Sequence, residues 1–460
     1  MKQDYNETEK GVLQLLKIKR NYEELSVATV NSLIYKHKGK IGELNKLYEM
    51  YENKNPILRR TKEEGKANNR ISHPYARYIT STAVGYFMGR NVAYNFDDEV
   101  LGDEYDRIMR FNDEHSVNNA NATNCSIFGC SAEVLFLDEN AEVRFASVDP
   151  REVIYIVNPD IMEDLNMVIR HWDVFDEVLD KSITYVEVYD HQYVTTYQLV
   201  DGAVSSVVDI QPHNFGDVPW LIYLNNKEVM GDFQPVMGLI NAYDLTQSDT
   251  ANDFQEFTDS HIVINGAMMD EDTMESTKHE SKVFLFPDGN GDVKFVTKDI
   301  NDSATESYKD RLVMDIHKLS HIPDMSDEAF SGNASGVAIQ YKLAGLEYQT
   351  SIKESHFRKA LLRRIELIFN ILSIKNNAEL DVIECVNIVF NRNLVRETEN
   401  IIDNVVKLSN VISKEAQYEL LDGIVDANKE KERHEIAKEE AMNQFSLPQF
   451  NEEDEEDDQQ

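Results

Sequence analysis

Over residues 9–52 the apolar positions recur three and four apart. Leu13, Leu16, Tyr22 and Leu25, then Ile41, Leu44, Leu47, Tyr48 and Tyr51, keep helical spacing. This predicts helices up to the stop at Asn55-Pro56. Residues 74–90 predict another, opening on Pro74, which suits a first helical turn, and ending at a Gly-Arg-Asn turn. Gly85 and Gly89 in it have the spacing of a close helix contact. Residues 103–128 predict one more helix. From about residue 131 the period falls to two. The runs AEVLFL, EVRFASV, EVIYIV, NMVIRHWDVF, SITYVEVY, YVTTYQLV and AVSSVVDI are rich in β-branched and aromatic residues. Turn signals at Asp138-Glu139-Asn140 and Asp201-Gly202 separate them. An antiparallel, hairpin-connected sheet after helices predicts the α+β class.

The helical period returns over 231–260 with Val236, Leu239, Ile240, Tyr243 and Leu245. HIVIN at 261–265, KVFLF at 282–286 and VKFVT at 293–297 predict a small β module, with PDGNGD at 287–292 closing a hairpin. A helix over 303–321 follows, so two helices flank a β excursion, a stalk with a β tip. The longest candidate, 336–372, holds no proline and would run roughly 50 Å at 1.5 Å per residue. Val337, Tyr341, Ala344, Tyr348 and Ile352 form one stripe; Phe357, Leu361, Ile365, Ile368 and Leu372 form a second, offset by one residue. That slip, with Gly345, predicts a bend or a change of packing partner. Glu354 and Arg358 are spaced as a supporting pair. VIECVNIVF within 380–391 predicts a strand, and 395–443 predicts helix.

Charge changes the picture more than composition does. Lys and Arg number 46 and Asp and Glu 83, a net −37 in 460 residues. Such a surface repels phosphate and argues against a sequence-reading DNA binder, which needs a basic face. It is compatible with a wall that DNA slides past. The basic exception is Arg59, Arg60, Lys62, Lys66 and Arg70, either a solvated loop or a patch facing DNA or an acidic neighbour. The tail EEDEEDD at 452–458 has no apolar residue and predicts disorder. The polar start MKQDYNETEK lacks the features of a signal peptide, and no apolar run reaches the roughly 18–20 residues of a membrane span. Cys125, Cys130 and Cys385 form no disulfide framework and are expected to be small buried residues of a soluble protein made in a reducing cytosol.

Candidate chemistry is thin. His317 and His321 have zinc-hydrolase spacing, but Lys318 stands where a general-base glutamate belongs, so a helix-end structural role is expected. Asp288, Asn290, Asp292 and Asp299 follow calcium-loop spacing, but Val293 replaces the required glycine and Asp299 the required glutamate. A turn at Gly289, Asn290 and Gly291 is the better reading. Gly39-Lys40 is followed by Ile41, so there is no P-loop, and no G-x-S-x-G elbow occurs. No cofactor or metal is expected, and no catalytic set.

Ser331-Gly332-Asn333-Ala334-Ser335-Gly336-Val337-Ala338-Ile339, continuing YKLAGLE to Glu347, resembles a signature of phage portal proteins of the SPP1-type family. HIPDMSDEAF at 321–330 before it fits as well, and HPYARYITSTAVGYFMGRNVAYNF at 73–96 resembles the family's N-terminal helix and turn. The resemblance covers nearly the full chain as an order of elements. It implies a wing over 1–230, a stem helix over 231–260, a clip over 261–302, a second stem helix over 303–321 and a tunnel loop over 322–335. A long kinked helix with a returning wing strand over 336–394, a helical crown over 395–446 and the acidic tail over 447–460 complete the series.

It also implies a ring, usually of twelve subunits, at one vertex of a phage head, assembled in the host cytoplasm and conducting double-stranded DNA with no membrane involved. The implied partners are the terminase large subunit, scaffolding and major capsid proteins and a head-completion adaptor. Twelve copies would carry about −440 in formal charge. In the tunnel loop Asp324, Asp327 and Glu328 would repel phosphates, Gly332 and Gly336 permit backbone adjustment, and Asn333 or Ser335 cap the helix. Terminase contact falls on the clip, with Lys278, Lys282, Asp288, Asn290 and Lys294 as candidates. The alternatives are another multimeric phage-head or connector protein and a metal-dependent nuclease.

Overall fold

A computed structural model describes the backbone at residues 6–10, 13–17, 26–258, 261–265, 283–286, 292–296, 302–325, 336–376 and 386–393, and at scattered positions between 405 and 438. Within 26–258 the positions 65, 159–160, 162–163, 178–179 and 201 fall outside the description. The chain divides into two units, Met1–Asn393 and Leu394–Gln460. In the second, helical backbone is described at 405–408, 433–434 and 436–438. Most of 395–446, the tail at 447–460 and Cys385 lie outside the described residues.

The first unit is α+β. Its larger sheet has the order β1-β2-β6-β7-β8-β9-β10. These are Asn6–Lys10, Leu13–Lys17, Val153–Val157, Leu165–Asp176, Lys181–Tyr189, Tyr193–Val200 and Ala203–Pro212. A second sheet sets Trp220–Leu224 (β11), Cys130–Leu137 (β4) and Val143–Val148 (β5) side by side. β6, VIYIV, is buried at every position. Its alternate side chains serve two cores. Ile154 and Ile156 meet the helix Val27–Tyr51 (α1), while Val153, Tyr155 and Val157 meet β4 and Trp220.

The sequence reading differs in three places here. Leu13–Lys17 is a strand rather than part of a helix, paired in parallel with the apolar edge of β6. Its run of leucines is too short to hold a helical face, and pairing satisfies its backbone groups. The sheet is therefore not purely antiparallel. The helix expected over 103–128 is two, Glu99–Phe111 (α3) and Glu114–Phe128 (α4). Asp113 between them has φ 48°. Asn112 fixes the break by donating to the Ile108 and Val143 carbonyls at 2.9 Å and accepting from Phe145 N at 3.2 Å. WLIYL at 220–224, unread as a strand, closes the smaller sheet.

α1 begins at Ser26, whose hydroxyl accepts from Thr29 N at 3.2 Å. It buries Val30, Leu33, Ile34, His37, Leu44, Leu47 and Met50 at helical spacing. Gly39 and Gly42 lie in its interior on the exposed side, where glycine costs about 1 kcal/mol relative to alanine. A Cβ at either would meet nothing within 4 Å.

His37 of α1 meets His171 of β7, nitrogen to nitrogen at 2.8 Å. Burial, then the charges of His171 and Lys40, lower His37 to about 3. Burial and Lys38 lower His171 to about 4. Unfolded histidines take up protons near 6.5, while the folded pair stays neutral until pH 3–4. The pair's contribution to stability is thus intact above pH 6.5 and lost as pH falls through that window. The thermal midpoint is expected to drop between pH 7 and 4 more steeply in the natural chain than in a His37→Leu/His171→Leu variant. Parallel profiles would show that the pair does not titrate this way.

The largest core gathers Tyr75–Met88 (α2), α3, α4, β4, β5 and β11 around Phe357, Leu361, Ile365, Ile368 and Leu372. Those last side chains belong to Gly336–Asn376 (α7), a helix of 41 residues. Val386–Val389 (β15) pairs with Ala93–Phe96 (β3) against the same core. Between the two halves of this core the chain leaves as Met237–Thr258 (α5) and returns as Asp302–Ser320 (α6), the two lying side by side.

Between α5 and α6 stand His261–Asn265 (β12), Val283–Phe286 (β13) and Asp292–Val296 (β14), in the order β13-β12-β14. The strands that the expected PDGNGD hairpin would pair, β13 and β14, are not neighbours in this sheet. β13 pairs in parallel and β14 antiparallel with β12, so the two flank it on opposite edges. HIVIN thus stands between the two strands and pairs along both its edges.

Candidate functional site

Two places stand out: the fixing of α7 and the root of the segment that precedes it. α7 is held by three charged clusters. Arg364, fully buried, donates to Glu133 through Nε at 2.7 Å and Nη2 at 2.6 Å. It also reaches Glu114 at 3.3 Å, Asn118 at 2.8 Å and the Tyr223 hydroxyl at 2.8 Å. Asn121 and Tyr223 donate to Glu133, and Tyr94 donates to Glu114. Burial alone would lower the guanidinium's pKa, but Glu133 and Tyr223 outweigh it and hold it well above the arginine value. About three turns of α7 earlier, Lys353 pairs with buried Asp232, which also accepts from Ser126 at 2.7 Å and Asn225 at 2.8 Å. Nearer the start of the helix, Arg392 binds Glu347 and Glu354 at 3.0 and 2.7 Å, and Tyr86 donates to Glu347 at 2.6 Å. Glu354 also takes the expected bond from Arg358, at 2.8 Å.

The two stripes of α7 have different fates. The second is core. The first is largely uncovered, with Tyr341 79%, Tyr348 71% and Ile352 52% exposed. The predicted change of packing partner is therefore present. Gly345 lies where a Cβ would come within 3.3 Å of His321 Nδ1. His321 has φ 57°, and His317 Nδ1 donates to the Ile322 carbonyl at 3.1 Å. His317 thus has the helix-end role expected of it, with its ring edge-on to Tyr75 and Tyr78. Tyr78 donates to the Pro323 carbonyl and accepts from Met325 N, both at 3.1 Å. The segment leaving α6 is tied to α2 up to residue 325.

Of the tunnel-loop candidates the structure describes Asp324, half-buried, its carboxylate 3.9 Å from His317 Nε2. Asp327, Glu328, Gly332, Asn333 and Ser335 lie outside the described residues, as do Lys278, Lys282, Asp288 and Asn290. Lys294 is on β14, opposite Val263 in the ladder.

The basic segment resolves toward the acidic-neighbour reading, within the chain. Arg60 and Lys62 pair with Asp249 of α5, and Arg59 pairs with Glu49. The same stretch is stitched along α5: Asn55 and His73 donate to buried Asp244 at 2.6 and 2.8 Å, Ile71 N to Ser248 at 2.9 Å and Asn69 N to Asn252 at 2.6 Å. At the end of α2 it is Gly89 rather than Gly85 that is crowded: a Cβ there would lie 2.2 Å from the Gly85 carbonyl oxygen of the same helix and 2.5 Å from the Asn393 side chain.

Sequence reasoning missed the buried charges. Arg364 falls on the apolar stripe between Leu361 and Ile365, and the asparagines of NNANATN in α4 recur at helical spacing, so a signal existed. Cys125 and Cys130 are buried thiols, as expected; burial pushes Cys130 up to about 12. Among the described residues no cluster of three or more His, Cys, Asp or Glu is placed to hold a metal, and no helix is long and apolar enough to cross a membrane.

The model of a family described as phage portal protein, SPP1 Gp6-like, matches residues 30–444. The portal protein of Bacillus phage SPP1 is 22% identical over 407 residues, covering 85% of this chain and 79% of that protein. The portal protein of Clostridium phage phiCD119 is 25% identical over 364 residues, covering 70% of this chain and 78% of that protein. The family match spans both halves of the divided core and the excursion between them, so the chain belongs to the SPP1 Gp6-like phage portal proteins.

Proposed function

We propose that the chain assembles into a closed ring, of about twelve copies as the family resemblance implies, which conducts double-stranded DNA at one vertex of a phage capsid. In this reading 1–230 is the wing, 231–260 and 303–321 the stem, 261–302 the clip, 322–335 the tunnel loop and 395–446 the crown. The observation that carries it is α7. Its second half is locked into the core by Arg364, while its first half presents Tyr341, Tyr348 and Ile352 to solvent. A neighbouring copy would cover that face, each side chain contributing about 1.5–3 kcal/mol on full burial. Pro323 and Met325 are tied to Tyr78, and Glu347, about three turns into α7, is tied to Arg392.

A chain this acidic suits passage of DNA, because tight phosphate contacts would stall movement. The clip, with Lys278, Lys282, Asp288, Asn290 and Lys294, would receive the terminase large subunit and later the head-completion adaptor. Scaffolding and major capsid proteins would meet the ring during head assembly, and the role is structural rather than enzymatic.

Negative-stain images should show rings with a central hole; particles without one would sink the reading in favour of another connector role. Deleting 324–333 should leave rings but impair DNA packaging. Changing Asp324, Asp327 and Glu328 together to lysine should also leave rings and slow packaging, because cations then grip the phosphates. Lost ring formation in both variants would make the segment an assembly element instead.

A further inference from the structure

The outer side of α1 has a feature that nothing inside the subunit explains. Gly39 and Gly42 are exposed in mid-helix, and alanine would fit at either. A helix without side chains at two neighbouring positions lets another surface approach its backbone closely. One turn earlier Tyr35 is 82% exposed, and Lys38, three residues on, shares its surface. The stretch YKHKGK at 35–40 carries no acid in a chain of net −37.

The opposite face of the same sheet offers the complement. His171 and Val186 are a ladder pair facing α1, so Trp172 with Tyr185, and Arg170 with Glu187, face away from it. The smaller sheet splays from the larger there and leaves a cleft of about 450 Å³ between Phe136 and Tyr189. Trp172 and Tyr185 stack at 5.5 Å beside it, with Arg170 over the indole at 4.0 Å. Of the carboxylates lining the cleft, Asp149 is held by Arg151 and Glu152 by Arg170. Glu187 accepts from the Tyr189 hydroxyl at 2.8 Å and faces Arg170 in the ladder, but Arg170 pairs with Glu152, and Glu187 makes no ion pair of its own among the described residues. A carboxylate without an ion pair beside an aromatic wall selects a basic side chain next to a ring.

We propose that α1 of one copy seats against this cleft of the next, Lys38 pairing with Glu187 and Tyr35 packing on the Trp172–Tyr185 stack, with Gly39 and Gly42 allowing the close approach. The two surfaces lie on opposite faces of one sheet, so the contact is head-to-tail and repeats around a ring. In subunits that otherwise repel each other, it sets the register in which lysine meets carboxylate. The contact rests on the ring reading above.

The test uses the full-length chain and mass photometry. Lys38→Glu and Glu187→Lys should each raise the concentration needed for rings about tenfold, and the double variant should recover to within about threefold of the natural chain. Lys38 is exposed, so its variant's circular dichroism melt should stay unchanged. Glu187→Lys sets a cation opposite Arg170, so Glu187→Gln, which keeps an acceptor for Tyr189, serves as the second variant, with an unchanged melt and a raised ring concentration expected. Single variants that assemble like the natural chain, or a double variant no better than the singles, would overturn this contact and leave the ring standing. A natural chain that forms no rings at any concentration would overturn both. As a second measurement, oxidised Lys38→Cys/Glu187→Cys rings should give a ladder of covalent multimers on a non-reducing gel, with none from either single variant. Oxidised rings without a ladder would overturn the contact.

Discussion

Arg364→Met is expected to lower the unfolding free energy by about 3–5 kcal/mol, read from the urea midpoint of the full-length chain. Methionine fills much of the arginine's volume, so the loss is electrostatic. Glu133 has a fully buried side chain and Glu114 a nearly buried one. Without the guanidinium both carboxylates stay out of water with no cation, and Asn118 and Tyr223 lose a donor. Adding Glu133→Gln and Glu114→Gln should recover much of the loss, because no buried charge then remains. An unchanged midpoint for Arg364→Met alone would mean that water reaches these carboxylates. The expected route to lost function is indirect: α7 loosens from the core, and the face bearing Tyr341 and Tyr348 no longer holds its angle.

Gly129→Ala should cost at least about 2 kcal/mol. Gly129 ends α4 with φ 84°, its N–H donating to the Cys125 carbonyl at 2.9 Å. A Cβ there would lie 2.2 Å from the Val229 carbonyl oxygen, a backbone atom that cannot swing aside. The chain from 225 to 232 is pinned around this point by Asn225 N bonding to the Gly129 carbonyl and Asp232 N to the Ser126 carbonyl. The same change at Gly42 should instead stabilise the isolated subunit by up to about 1 kcal/mol, because nothing lies near it. A shared sign for the two would contradict the distinction between the glycines.

The run at Val143–Val148 was legible because one face of the strand is the more buried and burial writes alternation into sequence, whereas Ala203–Pro212, exposed at all but one position, was legible from its β-branched residues. β6 was legible for another reason: both its faces are covered, so it reads as an unbroken apolar run. Leu13–Lys17 was misread because three leucines in four residues fit either period, and only the free edge of β6 decides. The break at Asn112-Asp113 was hidden because it is made by a side chain reaching Val143 and Phe145, 31 and 33 residues away. PDGNGD has every mark of a hairpin turn, yet the partner of both flanking strands is β12, and turn chemistry does not name a partner. At the site, the stripes of α7 were visible, but nothing in spacing says that one faces a core and the other solvent. The Arg364 cluster needed contacts spanning 141 to 250 residues of sequence.

The core is made in two instalments during synthesis. β11 ends at Leu224, and Phe357, the first α7 residue of the second stripe, follows 133 residues later. At about 5–20 residues per second, the ribosome leaves the earlier half waiting roughly 7–27 s for its missing helix. During that interval Phe87, Tyr105 and Tyr223 have no Phe357 or Phe369 to cover them, and Glu114 and Glu133 have no Arg364. A nascent chain cut short before α7 therefore carries an open apolar cleft with two anionic groups at its base. In the proposed ring the exposed stripe of α7 would lie between copies; it is made just before the segment that finishes the core, so a chain cut short before α7 would lack both.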